Sequence, residues 1–388
     1  MSSLSIQVVP LKIPFNISFD QASSSRSETA TVLVQAVRAN LYGLGEGCPR
    51  PYVTNESENS AICWIKSIKS IVEVECTTLD DLLLFLKNHK GIIDKNPSAW
   101  CAIETALLDL FAKEENKTLE ELIGTSGIQG EYQYTAVIGD GNQGTLNCYF
   151  DLYSQFGFWD FKIKICGDLN MDRRKIDLFR EKVLCIFPKK ARLRIDANNL
   201  WGSDNDKALS YLKALDYPFI GIEEPLSPRE PEKLSLLCEK LKKPIILDES
   251  LCNLDDVNLF SSVEGEFIAN IKVSKSGGLL RGLEIVEKAK ALNWKIIIGA
   301  QVGETSILTR LALSLAKASG ENLLAQEGGF GTILLSTEIV EPVLMFGKDG
   351  VLNYQQQNNS NLLPGLGITK GDSLKFGSDL ESICSPSF

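Results

Sequence analysis

The segment FKIKICGD at residues 161–168 alternates apolar with basic side chains. Phe161, Ile163 and Ile165 occupy one set of alternate positions, and Lys162 and Lys164 occupy the other. Because successive side chains of a strand point to opposite faces, this pattern predicts a strand with one buried face and one polar face. The polar face of such a strand usually contacts solvent, since lysine is almost never fully buried without a partner. Whether these two lysines contact bulk water depends on the rest of the chain.

This segment is one of a series of short apolar stretches that follow one another along the chain. They are YQYTAVIG (132–139), FKIKI (161–165), LRIDA (193–197), FIGIEEP (219–225), PIILDES (244–250), FIANIKVS (267–274), KIIIGAQV (295–302) and LLAQEGG (323–329). Helical patterns separate them, for example KALSYLKAL (207–215) and RGLEIVEKAKAL (281–292). Strands that alternate with helices predict βαβ units and a parallel sheet, and a series of this length suffices to close a (β/α)₈ barrel.

An open doubly wound sheet is the alternative architecture. It predicts a Gly-rich phosphate-binding turn after an early strand. The nearest match, Gly139-Asp140-Gly141, lacks the third glycine and the helix signal that should follow it. The barrel is therefore the preferred prediction.

The first 125 residues have a different organisation. Stretches such as SIQVVPLKI and ATVLVQAVRANLYGLGEG predict strands and precede helical patterns, which together predict an α+β unit. In SAWCAIETALLDLFAKE, Ser98 is the predicted N-cap of a long helix, directly after Pro97. Beyond about residue 340 the chain is rich in Gly and Asn, which predicts hairpins and loops that return to the first unit.

Composition and charge exclude several classes of protein. The net charge of −10 and the lack of a Lys/Arg block argue against nucleic-acid binding. No apolar run reaches the roughly 18–20 residues that span a bilayer, and the N-terminus lacks a signal-peptide pattern. The ten cysteines form no C-x-x-C pair, so free thiols in a reducing cytoplasm are expected. The single histidine, His89, lies in a polar stretch that predicts a helix end, so it is a poor candidate for catalysis or zinc binding.

Acidic residues end three consecutive predicted strands. Asp196 ends the third, Glu223 and Glu224 end the fourth, and Asp248 and Glu249 end the fifth. The carboxyl ends of barrel strands meet at one mouth, where carboxylates at close range repel one another strongly. Any one of these acids is explained as a loop residue or a helix N-cap, but three at equivalent positions favour a cation site. Oxygen ligands without His or Cys indicate a hard divalent ion, with Mg²⁺ as the first choice and Mn²⁺ as the alternative.

Lysines occupy the strands on either side of these acids. Lys162 and Lys164 lie on the second predicted strand, Lys272 lies on the sixth, and Lys275 follows it. The second and sixth strands face each other across an eight-stranded barrel, so Lys164 and Lys272 are expected on opposite sides of the mouth. Desolvation and a nearby cation both favour the neutral amine, which can remove a proton. The pair would therefore offer a base to each face of a bound substrate.

Five short motifs carry these residues. They are K-x-K at 162–164, D-A-N at 196–198, E-E-P at 223–225, D-E-S at 248–250 and N-I-K-x-x-K-x-G-G at 270–278. In this order and spacing they resemble the enolase superfamily, in its muconate-lactonizing-enzyme subgroup. The resemblance implies that Mg²⁺ assists removal of the proton next to a carboxylate. The His–Asp branch of the superfamily, the mandelate racemase type, is disfavoured by the single, poorly placed histidine.

The resemblance covers nearly the whole chain and implies a fold as well as a reaction. The implied architecture is a modified (β/α)₈ barrel with an N-terminal α+β capping domain. The predicted capping domain comprises residues 1–127 and is completed by a C-terminal segment from about 345 to 388. The predicted catalytic barrel comprises residues 128–344.

The resemblance also implies a role for each residue of the mouth. The implied metal ligands are Asp196, Glu223 and Asp248, and the implied acid/base pair is Lys164 and Lys272. Lys162 would tune Lys164 through its like charge and contact the substrate carboxylate. Asn198 and Glu249 would order the metal ligands. Lys275 is expected outside these ligands or at the start of a helix, rather than as a third base.

The end of the eighth strand is expected to contribute to substrate choice. Dipeptide epimerases of this subgroup carry an Asp-x-Asp motif there, which binds the ammonium group of the substrate. This chain has QEGG at residues 326–329, so the motif is absent and Glu327 is at best a partial substitute. A dipeptide substrate is therefore put in doubt.

Two loops of the capping unit and one barrel loop are expected to complete the pocket. Arg26 and Arg50 are the candidates to bind a second anionic group, with an exposed surface charge as the equally weighted alternative. Tyr52 is expected to pack on the substrate, and Glu304, after the seventh strand, is expected to line the pocket.

Three functions remain open at this point. The first is a Mg²⁺-dependent racemase or epimerase of an amino-acid-like or dipeptide-like carboxylate, because lysines on both faces suit this proton transfer. The second is a lyase or cycloisomerase, similar to o-succinylbenzoate synthase or to muconate-lactonizing enzyme, in which one lysine stays a passive cation. The third is a non-catalytic, metal-binding relative. The expected partner is a small-molecule carboxylate, and the multimers common among related proteins predict a homo-oligomer.

Overall fold

The structure is a computed structural model that describes residues 3–21, 24–139, 141–355 and 363–371, without side-chain positions for residues 17–26 and 143. The N-terminal strands are β1 (Ser5–Leu11), β2 (Pro14–Gln21), β3 (Ser24–Glu28), β4 (Thr31–Arg38) and β5 (Leu41–Gly47). The helices that follow are α1 (Pro51–Thr54), α2 (Glu58–Glu75), α3 (Leu79–Asn88), α4 (Lys90–Ile93), α5 (Pro97–Glu114) and α6 (Leu119–Ile123). Strands β1, β4 and β5 form an antiparallel sheet in the order β1-β4-β5, and β2 pairs with β3.

Strands and helices alternate along the middle of the chain. The elements are β6 (Gly130–Gln133), β7 (Ala136–Ile138), α7 (Gln143–Gln155), β8 (Asp160–Lys164), α8 (Leu169–Phe179), β9 (Arg192–Asp196), α9 (Asn205–Leu215), β10 (Ile222–Glu223), α10 (Pro231–Leu241), β11 (Ile245–Leu247), α11 (Leu254–Phe260), β12 (Phe267–Ile271), α12 (Val273–Ser276), α13 (Leu279–Ala291), β13 (Lys295–Ile298), α14 (Ser306–Ser319) and β14 (Leu323–Gln326). A π-helical turn (Arg180–Leu184) extends α8. The chain then forms β15 (Val340–Glu341), β16 (Val351–Tyr354) and β17 (Thr369–Lys370).

Strands β7 to β14 form one parallel sheet whose order follows the chain. The backbone N–H of Thr135 donates to the carbonyl of Gln326 at 2.8 Å, so the two edges of the sheet meet. This confirms the predicted (β/α)₈-type barrel behind an N-terminal α+β capping unit. Among the residues described, no helix combines the length and the apolarity that a membrane span requires.

The barrel interior is apolar on one side only. Ile246, Ile268, Ile297 and Ala325, from β11 to β14, pack together as a small cluster inside the barrel. The larger core runs through the capping unit and between the barrel strands and their outer helices. On the other side of the interior, β8 and β9 contribute charged side chains, and these lead up to the mouth.

Most of the apolar stretches are longer than the barrel strands they contain, and two of them show why. Residues 132–139 divide into β6, which pairs antiparallel with β16, and β7, which joins the barrel. Residues 267–274 form a strand only as far as Ile271, because the chain enters helix α12 at Val273. In both stretches the apolar residues indicate that the chain is buried. Where each strand ends depends on which neighbouring segment its backbone bonds.

Helix α5 lies between the capping sheet and the barrel, and its start corrects the predicted N-cap. The cap is Asn96, with Pro97 in the first turn, where its missing N–H leaves no helix bond unmade. Ser98 lies inside that turn, and its N–H donates to the carboxylate of Glu56 at 2.9 Å. On the barrel side, Glu104 accepts a 3.0 Å hydrogen bond from the backbone N–H of Leu280. A carboxylate distant in sequence therefore caps α5, and α5 in turn holds the start of α13.

The described part of the C-terminal segment contacts the N-terminal unit. Gly365 pairs with Thr118, and the N–H of Leu366 donates to Asp109 on α5 at 2.8 Å. The guanidinium of Arg310 on α14 bonds the carboxylate of Glu120 on α6 at 2.8 and 2.9 Å. These contacts join the N-terminal unit to the described C-terminal segment and to the barrel helix α14. The domain boundaries given above stay a prediction.

Candidate active site

Strand β8 directs its two lysines into the barrel and its apolar residues outward. The ring of Phe161 contacts Phe150 and Phe179 among the outer helices, at centroid distances of 5.7 and 5.5 Å. Lys162 is only 4% exposed. The polar face of this strand therefore lies against the barrel interior instead of bulk water, and Lys162 is buried because it has acidic partners.

The carboxyl ends of the strands border a cavity with about 1380 Å³ of atom-free space, its open mouth included. In the strand register Lys164 lies opposite Asp196, and Asp196 lies opposite Glu223. The charged and amide residues that line the cavity are Lys162, Lys164, Asp196, Asn198, Asp248, Glu249, Lys272, Gln301, Glu304 and Glu327. Most of the residues predicted for the mouth thus lie around one space.

Lys162 joins two carboxylates at the floor of the cavity. Its ammonium group donates to both oxygens of Glu223, at 3.1 and 3.2 Å, and to Glu327 at 2.7 Å. Burial alone would lower the pKa of Lys162, but the charges of Glu223 and Glu327 outweigh it and raise this pKa. Arg194 holds the other oxygen of Glu327 at 3.2 Å. Burial favours the neutral acid of Glu327, but Lys162 and Arg194 keep its pKa below the ordinary value.

Asp248 lies between two buried lysines. Lys272 donates to its Oδ2 at 2.5 Å, and Lys275 donates to its Oδ1 at 2.8 Å. Burial opposes the ionised forms, but the two ammonium groups hold the pKa of Asp248 below its ordinary value, and Asp248 raises the pKa of Lys272. The sequence predicted lysines with a lowered pKa at this mouth. For Lys162 and Lys272 the direction is the opposite, because the facing carboxylates outweigh desolvation.

Lys164 is held more loosely than the other lysines of the mouth. Its ammonium group lies 3.2 Å from Oδ1 of Asn198 and 3.5 Å from Oδ2 of Asp196. Asn198 has a left-handed backbone with a φ of 42°, and its N–H donates to Asp196 at 3.0 Å. The tight turn after β9 therefore aims both Asn198 and Asp196 at Lys164.

Glu223, Glu224 and Glu249 are buried close to other acids. Burial raises the pKa of Glu223 to about 8, and the charges of Asp196 and Glu327 add to this effect against the opposing charge of Lys162. Burial together with the charge of Asp248 raises the pKa of Glu249 to about 7. Glu224 points away from the cavity and accepts hydrogen bonds from the N–H groups of Asp248 and Ser250, both at 2.7 Å. Glu223 and Glu224, although adjacent, thus have different surroundings, and Glu224 supports the turn that carries Asp248.

The donor atoms of the mouth fit a hard divalent cation in their chemistry. Asp196, Glu223 and Asp248 offer only oxygen atoms, which Mg²⁺ prefers. Glu249 beside them has a buried Oε2 without a hydrogen-bond partner in the described part of the chain. No group of three acidic, His or Cys side chains among the described residues is arranged to hold a metal ion. Lys162 and Lys272 bond the oxygens of Glu223 and Asp248, so a cation bound there must compete with these two ammonium groups.

The predicted substrate-binding residues have different outcomes. Tyr52 on α1 lines the cavity and is 48% exposed, and Glu304 also lines it. Arg50 was expected either to bind a second anion or to be an exposed surface charge. It is 1% exposed, and its guanidinium donates to the backbone carbonyls of Ala30, Pro49 and Val302. Neither expectation holds in the described structure, because the arginine ties loops of the capping unit to the loop after β13. The side chain of Arg26, on β3, lies outside the described part of the chain.

Two residues near the mouth escaped the sequence reasoning. Asn270 donates to Glu223 at 3.1 Å, and Arg194 bonds Glu327 and, at 2.6 Å, the hydroxyl of Thr135. Both precede a predicted site residue by two positions, Asn270 before Lys272 and Arg194 before Asp196. Alternate residues of a strand share a face, so a polar side chain two positions before a site residue was the available signal.

A (β/α)₈ barrel with acids and lysines around its mouth defines the class of protein as an enolase-like barrel. The sequence matches the family profile "Enolase C-terminal domain-like" over residues 150–371 and the profile "Mandelate racemase / muconate lactonizing enzyme, N-terminal domain" over residues 3–124. The chain therefore belongs to the mandelate racemase/muconate lactonizing enzyme family of the enolase superfamily, which confirms the predicted superfamily and subgroup.

Characterised relatives include racemases, epimerases and a synthase. N-succinyl-L-Arg/Lys racemase of Bacillus cereus is 25% identical, with 93% of this chain and 92% of the relative covered. o-Succinylbenzoate synthase of Bacillus subtilis is 28% identical, with 79% of this chain and 78% of the relative covered. The structure of a dipeptide epimerase from Enterococcus faecalis, solved with Mg and L-Leu-L-Tyr, superimposes with a TM-score of 0.76 at 23% identity and covers 95% of this chain and all of that one. This structural likeness establishes the fold, and the relatives indicate an enzyme.

Proposed function

We propose that the protein is a racemase or epimerase that acts on the carbon next to a carboxylate, with Lys164 and Lys272 as its two bases. The observation that carries the proposal is that these lysines, from the second and sixth strands of the barrel, line the same cavity. Strands two and six lie across from each other, so the amines approach a bound substrate from opposite sides. Catalysis of this kind needs two proton carriers on opposite faces of one carbon.

In the proposed reaction one lysine amine takes the proton from carbon, and the electron pair of the broken C–H bond moves into the substrate carboxylate. The other lysine, as an ammonium group, then delivers a proton to the opposite face, and the stereocentre is inverted. Lys162 contributes a positive charge to the side of the cavity where the carboxylate accumulates charge. The apolar outer face of β8 fixes the backbone from which Lys162 and Lys164 extend.

We propose Mg²⁺ as the cofactor and Asp196, Glu223 and Asp248 as the residues that would hold it, with Mn²⁺ as a substitute. When bound, such a cation supplies positive charge that stabilises the negative charge developing on a carboxylate. Asn270 and Asn198 would orient Glu223 and Asp196 through the hydrogen bonds described above.

The test is proton NMR in D₂O with Mg²⁺, applied to N-acyl amino acids, dipeptides and hydroxy acids while polarimetry follows stereochemistry. The unmodified protein is expected to exchange the α-proton and to interconvert the two stereoisomers. Lys164→Ala and Lys272→Ala should each lower interconversion by at least about 10²-fold. Each variant should still exchange the proton of the one stereoisomer that faces its remaining lysine. Lys240→Ala, which removes a surface lysine of α10, is the control and should behave as the unmodified protein.

A lyase or cycloisomerase is the second candidate. The relative o-succinylbenzoate synthase favours it, as does the 2.5 Å ion pair between Lys272 and Asp248, which suits a passive cation. In that reaction one lysine removes the proton and a leaving group departs from the next carbon, so vinyl or lactone signals would replace interconversion. Interconversion that survives either lysine substitution unchanged would contradict the two-base proposal.

A further inference from the structure

One wall of the cavity is built from apolar side chains. Helix α7 contributes Tyr149, Leu152 and Phe156, and the chain after β14 contributes Phe330, Ile333 and Phe346. The ring of Phe346 contacts those of Phe156 and Phe330 at 6.1 and 5.4 Å between centroids. Because β7 and β14 are neighbours where the barrel closes, these two sources form a single continuous wall beside Lys162 and Glu327.

The residues of this wall are only partly covered by the protein. Five of these side chains are half-buried, and none of them lies on a barrel strand: Tyr149, Leu152, Phe156, Phe330 and Ile333. All five side chains line the cavity. Removing apolar surface from water is favourable, so an apolar group of a substrate would gain binding free energy by leaving water for this wall.

Among the residues that the structure describes, the charges of the cavity do not offer a site for a second anion. Its described cations are Lys162, Lys164 and Lys272, and each lies within reach of a carboxylate already. No arginine is found among the described residues that line it. Two further lining residues, Glu249 and Glu304, are acidic. A second carboxylate on the substrate would therefore meet acids in place of a free cation.

A positively charged substrate group would also find few available acidic partners among the described residues Glu304 and Glu327. The carboxylate of Glu304 accepts a 2.7 Å hydrogen bond from the N–H of Gln301, and burial raises its pKa to about 7. Glu327 already bonds Lys162 and Arg194 with its two oxygens. Glu327 therefore has both oxygens paired, and burial favours the neutral acid of Glu304.

We propose that the part of the substrate beyond its reacting carboxylate is neutral and apolar, as in an N-acyl derivative of a hydrophobic amino acid. This inference rests on the proposed function, since it concerns the same cavity. Helix α7 and the chain after β14 form the pocket for the apolar group, next to the lysine that binds the carboxylate.

The test compares N-acetyl-L-phenylalanine with N-succinyl-L-arginine and L-Ala-L-Glu, by kcat/KM for α-proton exchange in D₂O. N-Acetyl-L-phenylalanine is expected to react at least about 10-fold faster than either charged compound. Leu152→Ala should raise KM for it several-fold and leave the charged compounds unaffected. Leu236→Ala, a leucine on the outer surface of α10 that is 40% exposed, is the matched control. A charged compound that reacts faster would overturn the inference and leave the two-base proposal intact.

Isothermal titration calorimetry with the same compounds and Mg²⁺ separates failure of this inference from failure of the proposed function. If N-acetyl-L-phenylalanine binds more tightly than the charged compounds, and Leu152→Ala weakens that binding, the apolar pocket is supported even where no exchange occurs. Binding without exchange would then contradict the proposed function alone. Tighter binding of N-succinyl-L-arginine, or equal binding of all three compounds, would contradict the apolar pocket.

Discussion

Lys275 is a lysine whose side chain is completely enclosed by the protein. Its side chain is fully buried, and its ammonium group donates to the carboxylate and carbonyl of Asp248 and to the carbonyl of Asn270. Each of its three N–H donors thus has an acceptor, as a buried ammonium group requires. Lys275 lies on α12, outside the cavity, where it links the ends of β11 and β12. The sequence predicted a helix-start or outer position for this residue, and its contacts are those of a positioning residue.

Lys275→Met is expected to lower the free energy of unfolding by about 3–5 kcal/mol, because it leaves buried acceptors and part of a buried charge without a partner. Lys240→Met is the matched control, since Lys240 lies 4.0 Å from Asp206 in a pair that is 42% and 91% exposed. That control should cost less than about 1 kcal/mol. Urea denaturation followed by circular dichroism measures both. If the two substitutions lower the free energy of unfolding equally, the hydrogen bonds of Lys275 to its buried acceptors do not stabilise the protein.

Strand β5 packs against helix α5 through three glycines, which have no side chains. Gly43, Gly45 and Gly47 alternate along β5, so all three face α5. A Cβ atom added at Gly45 would lie 2.0 Å from the carbonyl oxygen of Ala102, and the other two glycines are equally close to backbone carbonyls. The strand therefore packs directly on the helix backbone. Beyond β5 the chain continues to α1, whose Tyr52 lines the cavity.

Gly45→Ala is expected to destabilise the protein by about 3 kcal/mol, because a backbone contact of this kind cannot be relieved by a rotamer change. Gly91→Ala is the control: an added Cβ at this exposed helical glycine meets nothing within 4 Å. Alanine there should stabilise the helix by about 0.5–1 kcal/mol. Thermal unfolding of both variants gives the comparison. Similar melting temperatures for the two would contradict the predicted contact between β5 and α5.

At the scale of the whole molecule, buried carboxylates join the capping unit to the barrel. Glu46 on β5 is fully buried and accepts hydrogen bonds from Thr305, the N-cap of α14, through the N–H at 3.1 Å and the hydroxyl at 2.6 Å. Glu104 on α5 makes the corresponding contact with α13. Burial raises the pKa of Glu46 to about 8 and that of Glu104 to about 7, although the hydrogen bonds oppose the shift. The stability of the two-unit assembly is therefore expected to depend on pH.

The sign of this dependence follows from proton binding. Between its ordinary pKa of 4.5 and about 8, Glu46 holds a proton in the folded protein that the unfolded chain has released. Rising pH therefore destabilises the folded state across this interval. Glu46→Gln should reduce the loss of melting temperature between pH 5 and pH 8 and stabilise the protein at pH 8 relative to the unmodified chain. Glu239→Gln, on the exposed surface of α10, is the control and should leave the change of melting temperature with pH unaltered. If Glu46→Gln also leaves it unaltered, the raised pKa of Glu46 does not control the pH dependence.

The barrel was largely predictable because its signals are local. The alternation in FKIKI, the spacing of the apolar stretches and the helical patterns between them depend only on neighbouring residues, and each corresponds to an element of the structure. The acids and lysines of the mouth were found by the same rule, since carboxyl ends of parallel strands meet at one edge. The capping of α5 was not predictable, because the Glu56 carboxylate that accepts from the N–H of Ser98 lies 42 residues away in sequence.

The order of the barrel strands and the set of alternate residues on the inner face follow from local patterns, because strand periodicity and βαβ connection are properties of adjacent residues. The partners of those residues depend on the folded molecule. Lys162 bonds Glu327 across 165 residues of chain, and Arg50 bonds Val302 across 252. Arg50 consequently serves the backbone and not the cavity, and Lys162 keeps its charge at a nearly dry position. Such pairings depend on burial and on distances between strands, which no local pattern encodes.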